Sequence, residues 1–103
     1  LMNERSNYKK AVSEDGTRID FYGNDEPNTF TVFELRKVSD DDVIALLQSN
    51  ISTLVLRGCT NLTDKVLLEV AKKCPSLTQL DVENCEKLTD AAAIVAIAEN
   101  CSS

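Results

Sequence analysis

The sequence predicts an α/β fold, a short solenoid of about three strand–turn–helix units with parallel strands side by side on one face and helices on the other. Three observations carry this. The stretch ISTLVLRGCTNLTD, residues 51–64, returns 26 residues later as LTQLDVENCEKLTD, residues 77–90. Inside each copy, apolar residues alternate with period two, the mark of a strand with one buried face. After each Thr-Asp pair the apolar spacing changes to that of a helix.

The chain divides into an N-terminal segment, 1–28, and a repeat domain, 29–103. Residues 1–16 are polar with scattered apolar positions and read as a short helix or an unstructured lead. Residues 17–22, Thr-Arg-Ile-Asp-Phe-Tyr, alternate and read as a strand, closed by the turn-forming cluster Gly23 to Asn28. Lying beside the first repeat, that strand would cap the N-terminal edge of the sheet, which otherwise invites pairing with other chains.

The two clear copies agree at seven strand and turn positions: Ile51, Leu54, Leu56, Cys59, Leu62, Thr63 and Asp64 fall on Leu77, Leu80, Val82, Cys85, Leu88, Thr89 and Asp90. In the helical half, Leu67, Val70, Ala71 and Cys74 fall on Ile94, Ile97, Ala98 and Cys101 at an offset of 27. A degenerate copy lies upstream at an offset of 24, where Phe30, Val32, Leu35, Val38, Ser39 and Asp40 reproduce the pattern. It places a strand over Phe30–Phe33. Thr63-Asp64 and Ser39-Asp40 supply side-chain oxygens where a helix starts and its first N–H groups lack partners. One such unit cannot bury its own apolar stripe, so the copies must stack.

Leu35 occupies the slot held by Cys59 and Cys85 in the later copies. Leucine fills an apolar site but neither ligates a metal nor forms a disulfide, so the slot asks for burial. The four cysteines contain no C-x-x-C pair and the chain has no histidine, so no zinc site is expected and the thiols read as buried packing groups in a reducing compartment. Three N-x-S/T tripeptides, at Asn50, Asn61 and Asn100, point the other way only for a secreted chain.

With its Cys74-Pro75-Ser76-Leu77 junction and the run from Ile51 to Asp64, the sequence resembles the cysteine-containing class of leucine-rich repeats over about residues 29–101. That resemblance implies a right-handed β-α superhelix, with the parallel sheet concave and the helices outside. It also implies a protein-binding role, since the class is best known from the substrate-binding domains of F-box proteins in SCF ubiquitin ligases. No F-box is visible in residues 1–28. A different class of role is structural: short repeat proteins of similar layout take part in mitochondrial ATP synthase and respiratory-complex assembly.

Chemistry narrows the function by exclusion. A net charge of −6 argues against nucleic acid, which needs clustered Lys and Arg. No apolar run is long enough for a membrane span. With no histidine, no G-x-S-x-G and no phosphate loop, neither a catalytic residue nor a cofactor is expected. Asp40-Asp41-Asp42 lacks the rest of a calcium loop and reads as helix capping.

The expected binding face is the outward side of the strands. Its rows are Thr31, Val55 and Asp81, then Phe33, Arg57 and Glu83, joined by Asp20 and Tyr22 if the N-terminal strand enters the sheet. The protein-binding candidates are therefore Tyr22, Phe33, Val55, Arg57, Asp81 and Glu83. Arg57 and Glu83 read either as a cross-strand ion pair or as partner contacts. The helix from Ala91, apolar until Glu99, offers a second surface: its face is met by further repeats, by a partner or a second copy at the C-terminal edge, or closes the stack itself. The expected setting is intracellular, in cytoplasm or nucleus, with mitochondria as the alternative.

Overall fold

The structure, a computed structural model, describes residues 4–23, 30–88 and 91–100. It is an α/β protein. An N-terminal 3₁₀ helix, Glu4–Ala11, leads into β1 (Arg18–Asp20), followed by α1 (Val32–Lys37), α2 (Asp40–Ile44), β2 (Thr53–Val55), α3 (Asp64–Lys73), β3 (Gln79–Asp81) and α4 (Ala91–Asn100). The three strands form one parallel sheet in the order β1-β2-β3.

Register follows from burial. Ile19 pairs with Leu54 and Leu54 with Leu80, so the inward residues of successive strands stand at one level. Ile19, Phe21, Leu54 and Leu56 are completely buried. A shift of one residue would turn each of them into solvent, at roughly 1.5–3 kcal/mol per large side chain. Cys59, Leu62, Val66, Leu67, Val70 and Cys74 continue the core through the turn and along α3.

α3 is the best-protected helix because it has neighbours on both sides, α2 and α4. Thr63 caps it by accepting the Lys65 N–H at 3.3 Å. Its last turn ends at Cys74, before Pro75, which has no N–H to extend the ladder. α4 packs against α3 through Ile97, yet Ile94 and Val95 remain about half exposed. Ile94 thus differs from its repeat partner Leu67, which is fully buried.

The expected strand over Phe30–Phe33 does not form. Those residues lead into α1, where Thr31 accepts the Glu34 N–H and Glu34 reaches back to the Thr31 N–H at 2.8 Å, a reciprocal capping box. Its place in the sheet is taken by β1, whose Ile19 lies 35 residues before Leu54. The turn and helix of that unit keep the offset of 24: Val38 is buried like Leu62, and Ser39 caps α2 through Asp42. The first unit therefore carries an insertion of about eleven residues between its strand and Leu35, and α1 begins within it and runs on into the turn.

The segment expected to cap the sheet does occupy its edge. Tyr8, Phe21 and Phe30 form an aromatic cluster with centroids 5.3 to 6.2 Å apart, which fastens the 3₁₀ helix and the start of α1 to the first strand. Beyond β1, Val12 bridges Ile19 in antiparallel sense. Ser13 donates its N–H to the Arg18 carbonyl at 2.9 Å and accepts the Arg18 N–H on its hydroxyl at 3.1 Å. The sequence's turn cluster from Asn24 to Asn28 lies outside the described residues, as do Thr89, Asp90 and Cys101.

Candidate protein-binding face

Because side chains alternate along a strand, the residues between the buried ones share the opposite face of the sheet. Asp20, Val55 and Asp81 are in register across the three strands, and Arg18, Thr53 and Gln79 form the parallel row two residues earlier. One step beyond the strands lie Tyr22, Arg57 and Glu83. Arg18, Tyr22, Thr53, Val55, Arg57, Gln79 and Asp81 line an open depression of about 290 Å³.

Arg57 organises this face. Its guanidinium carbon stands 4.6 Å from the centre of the Tyr22 ring. Its Nε donates to Asp81 Oδ2 at 3.0 Å, its Nη2 donates to the same oxygen, and Glu83 Oε2 lies 3.6 Å from Nε. The hydrogen bond to Asp81 raises the Arg57 pKa, and the same contact holds the Asp81 carboxyl below its usual range. The Glu83 N–H adds a bond to Asp81 Oδ1 at 3.0 Å. A planar cation stacked on an aromatic ring and held by carboxylates has few rotamers left to lose on contact with a partner.

The rest of the face is similarly cross-linked. Arg18 pairs with Asp20 at 2.9 Å, Asp20 also accepts the Gly23 N–H, and the Thr53 hydroxyl donates to Gln79 at 3.2 Å. Tyr22, Val55, Arg57, Asp81 and Glu83 are thus assembled on one surface. The cross-strand pair expected between Arg57 and Glu83 forms, but Arg57 holds Asp81 more closely.

Phe33 is the exception. It projects from α1, 73% exposed, and Tyr22 stands in the row beside Arg57 in its stead. Thr31 likewise caps a helix and is not a sheet residue. Sequence reasoning left out Arg18, Thr53 and Gln79, although the same alternation, carried two residues back from Asp20, Val55 and Asp81, points to them.

The described thiols, Cys59, Cys74 and Cys85, are buried. Burial pushes the Cys59 thiol up to about 12. Burial also raises Cys85, whose Sγ donates to the Leu56 carbonyl at 3.0 Å. Among the described residues no group of three or more His, Cys, Asp or Glu side chains is placed to hold a metal ion, and no helix is long and apolar enough to cross a membrane.

No family model matches the sequence. Over 57 residues the chain is 40% identical to the protein named antagonist of mitotic exit network protein 1 from Candida albicans. The match takes in 53% of this chain and 8% of the yeast protein, so the chain spans a small part of that relative's length.

Proposed function

We propose that this chain is a non-catalytic protein-interaction module, a short leucine-rich-repeat stack that captures a partner on the outward face of its sheet. The observation that carries the reading is the fixed placement of Arg57 between the Tyr22 ring and the Asp81 carboxylate. Aromatic and arginine side chains dominate binding energetics at interfaces, and this pair lines an open depression on the sheet face. The 26-residue repeat, the parallel strands in matched register and the helix after each turn support the leucine-rich-repeat assignment. The resemblance to the recognition repeats of F-box proteins makes a ubiquitin-ligase substrate the partner class to test first. The yeast relative is named as an antagonist of a mitotic exit network, and a regulatory binding role is in keeping with that name.

The test is comparative capture. Native lysate is passed over the wild-type chain and over Tyr22→Ala and Arg57→Ala, with thermal melts to show that each variant is folded. Proteins retained by the wild type and lost by both variants support the reading. Equal retention by all three would remove the sheet face from consideration, and recovery of assembly subunits of a mitochondrial complex would replace the ligase reading with a structural one.

A further inference from the structure

We propose that the outer face of α1 is a second docking surface, one that takes an acidic peptide segment bearing an aliphatic or aromatic anchor. The helix begins in the insertion that sets the first unit apart from the others, and its side chains divide between core and solvent. Leu35 points inward and is buried, reaching the turn at Gly58. Val32 and Phe33 point outward at 62% and 73% exposure. Residues three and four apart share a helix face, so Phe33 is joined by Arg36 and Lys37 and Val32 by Arg36, all of them exposed.

Charge names the partner. The chain as a whole carries 17 acidic and 11 basic residues, yet α1 has two cations and one anion, and Lys10 adds another cation from the neighbouring 3₁₀ helix. Lys10 sits over the Phe30 ring at 4.6 Å, at the entrance to α1. Lys10 and Lys37 both bear on Glu34, whose carboxyl is held below its usual range chiefly by the Thr31 N–H and in smaller part by these two cations. Glu34 is thus engaged at the helix cap, which leaves Arg36 and Lys37 beside an exposed aromatic ring. A complementary segment places carboxylates against these cations and inserts an apolar side chain over Val32 and Phe33. Val32 and Phe33 are the most exposed large apolar side chains among the described residues, and none of the four outward side chains belongs to the core.

This surface is independent of the sheet face. The probe is a displayed library of random 12-residue peptides, selected on the immobilised full chain and counter-selected on the double variant Arg36→Glu/Lys37→Glu. The expected pool is rich in Asp and Glu around a Leu, Ile or Phe. A synthetic peptide from it should lose about tenfold or more in affinity with Phe33→Ala, the magnitude of an interface anchor. It should weaken as salt rises, and it should bind Arg57→Ala as it binds the wild type. Thermal melts keep the variants comparable; Phe33, Arg36 and Lys37 are exposed and Arg57 is half-buried. A pool without acidic bias, binding that survives both Phe33→Ala and the charge reversal, or no enrichment at all would overturn the proposal. So would sedimentation showing that α1 is covered by a second copy of the chain.

Discussion

Asp40, the first residue of α2, accepts both the backbone N–H of Thr63 at 2.8 Å and its hydroxyl, and so ties the start of one helix to the cap of the next. Lys65, two residues on, adds a second tie by reaching Asp41 at 3.1 Å. Capping and stacking are therefore coupled here: the residue that begins α3 is oriented by the unit before it.

This coupling predicts that Asp40→Ala and Thr63→Ala each cost about 1 kcal/mol, the usual worth of a cap or a charge-assisted hydrogen bond. Combined, they should cost less than the sum, because each removes the other's partner. Urea unfolding of the two single variants and the double variant measures this; strict additivity would show that the tie contributes nothing.

Gly58 has φ +83°, and a Cβ there would lie 3.3 Å from Leu35 Cδ1. Gly58→Ala should lower stability by about 1–2 kcal/mol, since both the left-handed backbone and the contact oppose a side chain. In a Leu35→Ala background the added cost of Gly58→Ala should shrink but not vanish, because the backbone term stays. Chemical denaturation of the four proteins separates the two contributions.

At the acid end, Asp81 is held below its ordinary value of 3.8, first by the hydrogen bond from Arg57. A carboxyl depressed in the folded state gives stability that is fully present above its unfolded value and is lost as pH falls through the folded one. The wild type should therefore lose stability below about pH 4 more steeply than Arg57→Gln, which lacks the cation. Melting temperatures from pH 7 to pH 2 give the comparison, and parallel curves would contradict it.

The alkaline end belongs to Cys59. Its thiol stays protonated up to about 12 when folded, against an ordinary value of 9.0. The sign is opposite to that of Asp81: the unfolded chain releases this proton first, so stability is intact below pH 9 and falls as pH rises above it. Cys59→Ala should flatten that alkaline loss while costing stability at pH 7 through the lost packing. At neutral pH, alkylation of Cys59 should follow the rate of unfolding, since the thiolate is the reactive form.

Much of this was legible in the sequence, and the exceptions have physical causes. Units 51–74 and 77–98 could be read because apolar spacing, a Thr-Asp pair and a run at helical spacing coincide in each. Burial of the cysteine slot followed from Leu35, and Cys59 and Cys85 are indeed buried. The run Phe30–Phe33 misled because four alternating residues fit a strand, while the box formed by Thr31 and Glu34 specifies a helix start in the same place. The competing strand, Arg18–Asp20, was visible as alternation, but its membership of the first unit was hidden by the insertion between them. The role of Asp40 in holding Thr63 could not be read at all, because it depends on two units being stacked.

The hydrogen bonds between Ser13 and Arg18 give the sheet a direction. The outward N–H and C=O of Arg18 are both occupied by the chain's own backbone and hydroxyl, so that flank is closed at Arg18. On the far flank, no strand pairs with β3 among the described residues. Growth by addition of a strand is thus opposed where Ser13 holds Arg18, and a segment that lengthens this sheet meets unpaired backbone beside Gln79–Asp81.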